Sequence, residues 1–490
     1  MERDSLKLKV ASSMFWKFGE RVGTRFVTFV VSLLLARILS PEDYGIVALL
    51  TFFVSVLDVI ITSGFGSSLV QRKDASDLDF STVFYFCVLL SCVLYLLLFF
   101  CAPIIARFFS NNTLIMLLRI LGIRLLFSGV ATIQNAYVDK HMMFKRYFIS
   151  STFSAIISGS VAYLMALYGY GVWSLVAQYV ISLFISTVVL WFTVRWRPVV
   201  QFSTQRLKLH YSYGWKLLMS SIIATVYTEV RAPIIGRLYS SSALGYYSRG
   251  NSFPNLITDN LTSSINSVLF PAISQEQTNP DKVRSMTRRS IKTTAYLIMP
   301  IMTGMAVVAK PLVLLLLTNK WIESVPYLQI ACFSGALGPI QSANLQAIKA
   351  LGYSDVILKL ETIKRILGIL TLIIVMRYGV LAIAISSMFS SALFLFINTY
   401  PNKKLLNYTI KEQMIDILPF VGMCLVMASV VYPIQLLDWP IILILSIQVL
   451  IGALLYFVMS GIFKVDSLEY LRTTIISLFK RSANSKLDVI

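Results

Sequence analysis

Long apolar runs follow one another from Phe26 to Phe463, broken only by short polar stretches. A hydrocarbon core about 30 Å thick takes roughly 20 helical residues, and these runs have that length. Alternating ten-residue strand patterns are absent, so the spans read as helices rather than as an outer-membrane barrel. The predicted helices run 13–39, 43–69, 80–106, 113–138, 146–168 and 171–194, then 211–237, 245–272, 291–317, 325–349, 355–377 and 380–400, with two more near 414–434 and 439–462. The expected fold is an all-α integral membrane bundle of about 14 transmembrane helices.

Polar breaks punctuate this pattern in a repeating way. The stretch RILSPEDYG from Arg37 shares its spacing of Arg, Ser and Gly with RLYSSSALG from Arg237, IQNA from Ile133 is matched by IQSA from Ile340, and YGV from Tyr170 by YGV from Tyr378. Three matches in one order at nearly one offset indicate a duplicated six-helix unit. An even number of helices starts both copies on the same side of the membrane, the parallel-repeat design in which transporters place substrate between two halves. The expected organisation is therefore a six-helix lobe over 1–205, a second over 206–408, and two further helices with a tail over 409–490. In the repeated motif, serine and glycine are expected to close a tight turn while Arg37 and Arg237 anchor helix ends at the headgroups or meet a substrate headgroup. Glu42 and Asp43 suit a helix N-cap, and an adjacent carboxylate pair could alternatively hold a metal in a membrane glycosyltransferase.

Composition agrees with the pattern: 57% of residues are hydrophobic and 13% charged. The formal net charge of +20 raises the question of nucleic acid, but the basic residues gather in alternate loops. That distribution is the positive-inside signature: it puts both termini in the cytoplasm of a plasma membrane and assigns the basic excess to topology and anionic lipid, with no nucleic-acid partner. The start of the chain shows no signal-peptide cleavage pattern, so the first helix is expected to persist. Cys87, Cys92, Cys101, Cys332 and Cys424 lie in or beside apolar runs without CxxC spacing, as packing residues do.

A smaller set of charges lies where lipid would not tolerate it. Lys17, Arg21 and Arg25 recur every fourth residue on the first helix, Arg119 and Arg124 lie in the fourth span, and Lys216 and Arg231 in the seventh. A basic residue at a helix centre costs about 2.5–3.5 kcal/mol on insertion scales, so these side chains are expected to face protein or water, with snorkelling open to Lys17. They are the candidate substrate-binding residues: a cationic lining suits a diphosphate or an acidic sugar. Asp58, Glu229 and Asp259 are candidates for proton or sodium coupling or, equally, for structural pairing with the cations. No other cofactor, no metal and no catalytic set is expected, since His141 and His210 read as loop residues without a partner acid.

The order and spacing of LARILSPEDYG from Leu35, GFGSSLVQRKD from Gly64, YGVWSLV from Tyr170, LFPAISQEQ from Leu269 and KPLVLLLLTNKWIESVPYLQI from Lys310 resemble the Wzx-type polysaccharide flippases of the multidrug/oligosaccharidyl-lipid/polysaccharide exporter superfamily. The resemblance runs through nearly the whole chain. It implies a non-enzymatic, alternating-access transporter that turns undecaprenyl-diphosphate-linked oligosaccharide from the cytoplasmic to the outer leaflet of the bacterial inner membrane. It further implies service to exopolysaccharide, capsule, lipopolysaccharide or teichuronic-type synthesis, with membrane lipids, a polymerase and chain-length proteins as partners. The superfamily has no universal signature to carry over, so the substrate residues named above rest on this sequence alone. A multidrug antiporter of the same fold and a membrane glycosyltransferase or polymerase remain the other readings.

Overall fold

The computed structural model describes the backbone of residues 2–72, 74–470 and 472–473, and the side chains of the same residues apart from 2–15, 17, 18, 21 and 22. Every long element among them is a helix. Chain order gives α1 (Glu2–Ile38), α2 (Pro41–Thr62), α3 (Phe65–Gln71), α4 (Asp77–Phe108), α5 (Thr113–His141), α6 (Phe144–Leu167), α7 (Val172–Thr193), α8 (Thr204–Glu229), α9 (Arg231–Leu238) and α10 (Ser241–Ser274). There follow α11 (Pro280–Val307), α12 (Ala309–Leu316), α13 (Val325–Ala350), α14 (Ser354–Val375), α15 (Val380–Leu406), α16 (Ile410–Val431) and α17 (Ile441–Ile462). Among the described residues nine helical spans are long and apolar enough to cross a membrane, or ten if α11 and α12, bent by 69° at their junction, count as one. The helices outside that set, α1, α10, α13 and α14, are the more polar ones, as expected of segments that face protein or water on one side.

The chain forms two compact units, Met1–Ser248 and Arg249–Ile490. In the first, α1 lies on α6, α6 on α7, and α4 on α5. Its lower core is aromatic: Phe65, Phe80 and Phe84 close around Cys87, Ile133 and Trp196. The unit border falls inside α10, and α8 and α9 pack with the first unit, against α2, α3 and α4.

The repeated polar motif has a clear local cause. Ser40 caps α2: its Oγ accepts from the Asp43 N–H at 3.2 Å, while Asp43 Oδ2 accepts from the Ser40 N–H at 2.9 Å. This capping box satisfies donors that the first turn of a helix leaves open. Ser240 repeats half of it, accepting from the Ala243 N–H at 3.1 Å. The glycines do something other than the expected tight turn, since both lie within helices and neither has positive φ. A Cβ on Gly45 would stand 1.6 Å from the Ser241 carbonyl oxygen, and one on Gly245 1.9 Å from that of Pro41. The first turns of α2 and α10 thus cross backbone to backbone, each glycine making room for the other motif.

In the second unit, α11 carries Arg284, Arg288 and Lys292 at four-residue spacing, and each meets an acid. Arg284 reaches Glu412 at 2.7 Å, Arg288 holds Asp416 with both Nε and Nη2 at 2.7 Å, and Lys292 reaches Asp466 at 2.8 Å. Asp416 is nearly buried and also accepts from the Tyr408 hydroxyl at 2.7 Å. The assignment of these cations to lipid contact is therefore corrected: they clamp α16 and the segment after α17 to α11. A second, uncharged tie runs beside the ladder, where Asn344, Asn402 and Gln413, all fully buried, exchange amide hydrogen bonds between α13, α15 and α16. Cytoplasm-type charge patterning conceals such pairing because the acids come more than a hundred residues later.

Two expectations follow from this packing. Gly45→Val and Gly245→Val should each lower stability by about 1–3 kcal/mol through overpacking, and the double variant should cost less than the sum because both disturb one crossing; thermal unfolding in detergent measures both. Arg288→Ala should cost about 1–3 kcal/mol by stripping a charge-assisted bond from nearly buried Asp416, read in the same assay. The Lys292 ammonium holds the Asp466 carboxyl below its usual range, so that rung contributes above the ordinary carboxylate pKa of about 3.9 and is lost as pH falls through the lower folded value.

Candidate functional site

The candidate charges of the first unit occupy three different surroundings. On α1, the Thr24 hydroxyl lies 3.0 Å from Ser151 Oγ and 2.9 Å from Thr152 Oγ1, which seats that face on α6 and leaves neighbouring Arg25 exposed. The side chains of Lys17 and Arg21 lie outside the described residues. On α5, Arg119 and Arg124 are five residues apart and so point to different faces. Arg119 lies 4.0 Å over the Phe99 ring and donates to the Phe99 carbonyl at 3.4 Å, which ties it to α4. Arg124 lies 5.9 Å from the Tyr179 ring of α7, and its buried Nε has no hydrogen-bond partner among the described residues.

One turn beyond Arg124, Ser128 donates to the Asp58 carboxylate, joining α5 to α2. Arg124, Ser128 and Asp58 therefore form one polar column within the unit. Lys216 is exposed on α8. Glu229 ends α8 half-buried, and Arg231 opens α9 with a buried Nε that again lacks a partner among the described residues, 5.8 Å from the Tyr227 ring. Buried guanidinium N–H groups of this kind favour an anionic oxygen acceptor, for which the fork geometry of arginine is matched. Asp259 belongs to the second unit, exposed on α10.

The reading of His210 as an isolated loop residue is corrected. It lies within α8, fully buried, with Nε2 3.2 Å from Asp79 Oδ1 and Nδ1 2.8 Å from Ser68 Oγ. A neutral imidazole protonated on Nε2 satisfies both contacts, donating to Asp79 and accepting from Ser68. Asp79 is fully buried too; it accepts the Ser76 N–H and hydroxyl and has Arg206 3.5 Å away. The connectivity of Ser, His and Asp imitates a hydrolase triad, but Ser68 is only 2% exposed, so no acyl group reaches its hydroxyl. The cluster fastens the start of α8 to α3 and α4. One turn on, Gly214 abuts Gly64, whose φ of +93° marks the break between α2 and α3. The other histidine, His141, ends α5 and stacks on Tyr137.

The second unit contributes an apolar groove of about 790 Å³ between α11, α12, α16 and α17. Its walls include Leu297, Ile301, Met427, Val449 and Phe457, with Gln448 and Arg472 among the few polar groups. The pattern of hydrophobic runs could not reveal it, since it depends on the bend after Val307 and on where α16 and α17 pack.

Comparison with known proteins agrees with this architecture. Residues 34–326 match the family described as polysaccharide biosynthesis protein. The succinoglycan biosynthesis transport protein ExoT of Rhizobium meliloti (strain 1021) is 27% identical over 349 residues, 71% of this chain and 70% of the relative. The lipopolysaccharide biosynthesis protein WzxC of Escherichia coli (strain K12) is 23% identical over 376 residues, 76% of each chain. Among solved structures, the lipid II flippase MurJ in an inward closed conformation superimposes with a TM-score of 0.76 at 18% identity, covering 94% of this chain and 100% of that one, a likeness of fold. With more than half its length matched and the helical architecture shared, the chain belongs to the polysaccharide biosynthesis protein family of multi-pass membrane proteins.

Proposed function

We propose that the protein is a flippase for lipid-linked oligosaccharide, carrying an undecaprenyl-diphosphate-linked glycan from the cytoplasmic to the outer leaflet in polysaccharide biosynthesis. The observation that carries the reading is the pair of buried, unpartnered guanidinium Nε groups of Arg124 and Arg231 in a chain whose relatives include polysaccharide transport proteins. Each is set to accept an anionic oxygen, and exposed Arg25 and Lys216 supply further positive charge to the same reading. Diphosphate and acidic sugar engage these cations, while the prenyl chain stays in hydrocarbon, for which the groove beside α16 and α17 offers a surface. Arg119 contributes less, because its guanidinium is already engaged by Phe99.

The finer features belong to the same proposal: fourteen spans as two duplicated six-helix lobes plus two helices, both termini cytoplasmic, and a polymerase and chain-length proteins downstream. Asp58 is the first coupling candidate, since its carboxylate is held by Ser128 rather than by a cation. The protein performs no covalent chemistry in this account. Multidrug transporters share the fold, but surplus cations would repel cationic cargo.

The test is reconstitution into liposomes with a fluorescent undecaprenyl-diphosphate oligosaccharide, followed by the fraction that an impermeant quencher reaches. Arg25→Ala and Arg124→Ala should each slow flipping about tenfold or more, the equivalent of one charge-assisted hydrogen bond, with insertion and thermal unfolding unchanged. Wild-type rates in the double variant would end the cationic-site account, and a lengthened glycan would turn the reading to a transferase. Asp58→Asn should abolish the response of flipping to an imposed proton or sodium gradient; an unchanged response removes Asp58 from coupling.

A further inference from the structure

The second unit has another cleft, of about 680 Å³, which shares no lining residue with the groove described above. It runs between the start of α16 and the end of α17. Its inner walls are hydrocarbon-like, built from Pro419, Phe420, Met423, Val426, Met459 and Phe463. Its mouth is charged with both signs, Lys292 and Lys464 against Asp416 and Asp466. Because α16 and α17 are membrane-length helices, this mouth stands where one begins and the other has ended, at headgroup depth.

Three features define what fits. The apolar walls lie along the membrane-embedded part of α16, so the occupant carries an alkyl chain. The four mouth charges cancel, which suits a zwitterion and disfavours a net anion. Lys464 is in no ion pair among the described residues and is exposed, whereas the Asp466 carboxylate, although held by Lys292, keeps 83% of its side chain in contact with the surroundings. The third feature is in the backbone. Pro419 lies inside α16 and has no N–H, so the Ile415 carbonyl one turn earlier loses its helical donor, and both residues line the cleft. A carbonyl released in this way takes an N–H donor from whatever fills the site. Gly422 adds room, since a Cβ there would meet nothing within 4 Å.

We propose that this cleft is a binding site for a zwitterionic aminophospholipid of the phosphatidylethanolamine type, with its phosphate on Lys464, its ammonium between Asp466 and the Ile415 carbonyl, and one acyl chain along Pro419 to Val426. Phosphatidylcholine has the same charges but no N–H donor, so it leaves the carbonyl unsatisfied. Phosphatidylglycerol has donors but a net negative charge, against a mouth that is already balanced. A lipid held here bridges α16 and α17 beside the Lys292–Asp466 rung and makes the packing of the last two helices sensitive to membrane composition.

The experiment is native mass spectrometry of the delipidated, detergent-solubilised full chain, offered equal amounts of phosphatidylethanolamine, phosphatidylcholine and phosphatidylglycerol with identical chains. Phosphatidylethanolamine adducts should exceed those of the choline lipid about fivefold, as one partly exposed charged contact allows. Lys464→Gln, which breaks no ion pair among the described residues, should erase that preference with thermal unfolding unchanged. Gly422→Leu, which fills the cleft without touching charge, should lower adduct formation with the ethanolamine lipid. Equal retention of ethanolamine and choline lipids, dominance of the glycerol lipid, or a preference that survives both substitutions would overturn the site. The readout is lipid binding alone, so it stands or falls separately from flipping.

Discussion

A charge or an unpaired backbone group in hydrocarbon must find a partner, and that requirement organises this molecule. Helices satisfy the backbone internally, which accounts for the absence of strands among the described residues. The charged side chains then divide according to how they are satisfied. Some pair with acids, as along α11; some rest on aromatic rings or carbonyls, as Arg119 does; and a few keep buried N–H groups without a protein acceptor, as Arg124 and Arg231 do. Only the last group has unspent capacity for an anionic ligand, so the cost of burying charge itself sorts structural cations from candidate functional ones.

The same requirement explains how the elements are fastened. Apolar surfaces give little preference for one helix neighbour over another when the surrounding lipid is equally apolar, so specific polar ties and close backbone approaches take on that role. The first unit uses the fully buried His210 and Asp79 with Ser68, and the glycine contacts Gly64 with Gly214 and Gly45 with the α10 turn. The second uses an ion ladder and a buried amide cluster. Both kinds of tie are directional, and each joins segments far apart in the chain.

Helices α16 and α17 illustrate how structure and membrane meet. One side of the pair is held by Arg284, Arg288 and Lys292; elsewhere the pair borders two separate apolar hollows. Their packing against α11 and α12 therefore leaves lipid-sized surface open rather than closing it. In a transporter of lipid-linked glycan, such surface gives the hydrocarbon part of a substrate or a bound lipid a place outside any aqueous compartment.

What the sequence determined by itself is what depends on local pattern. Hydrophobic run length located the helices, the matched RILSPEDYG and RLYSSSALG stretches exposed the duplication, and the spacing of Ser40 and Asp43 was enough to foresee a cap. The candidate cations could be picked out because charge inside an apolar run is conspicuous. Which of them had a partner was not legible: Arg119 and Arg124 look equivalent in the chain, and only packing puts one on Phe99 and leaves the other's Nε bare. His210 and Asp79 are 131 residues apart, Arg288 and Asp416 are 128, and the role of Gly45 depends on a carbonyl at Ser241. Run length and spacing report the balance between backbone and solvent along a few turns, whereas pairing and close approach depend on distances in space, and those exist only once the helices have packed.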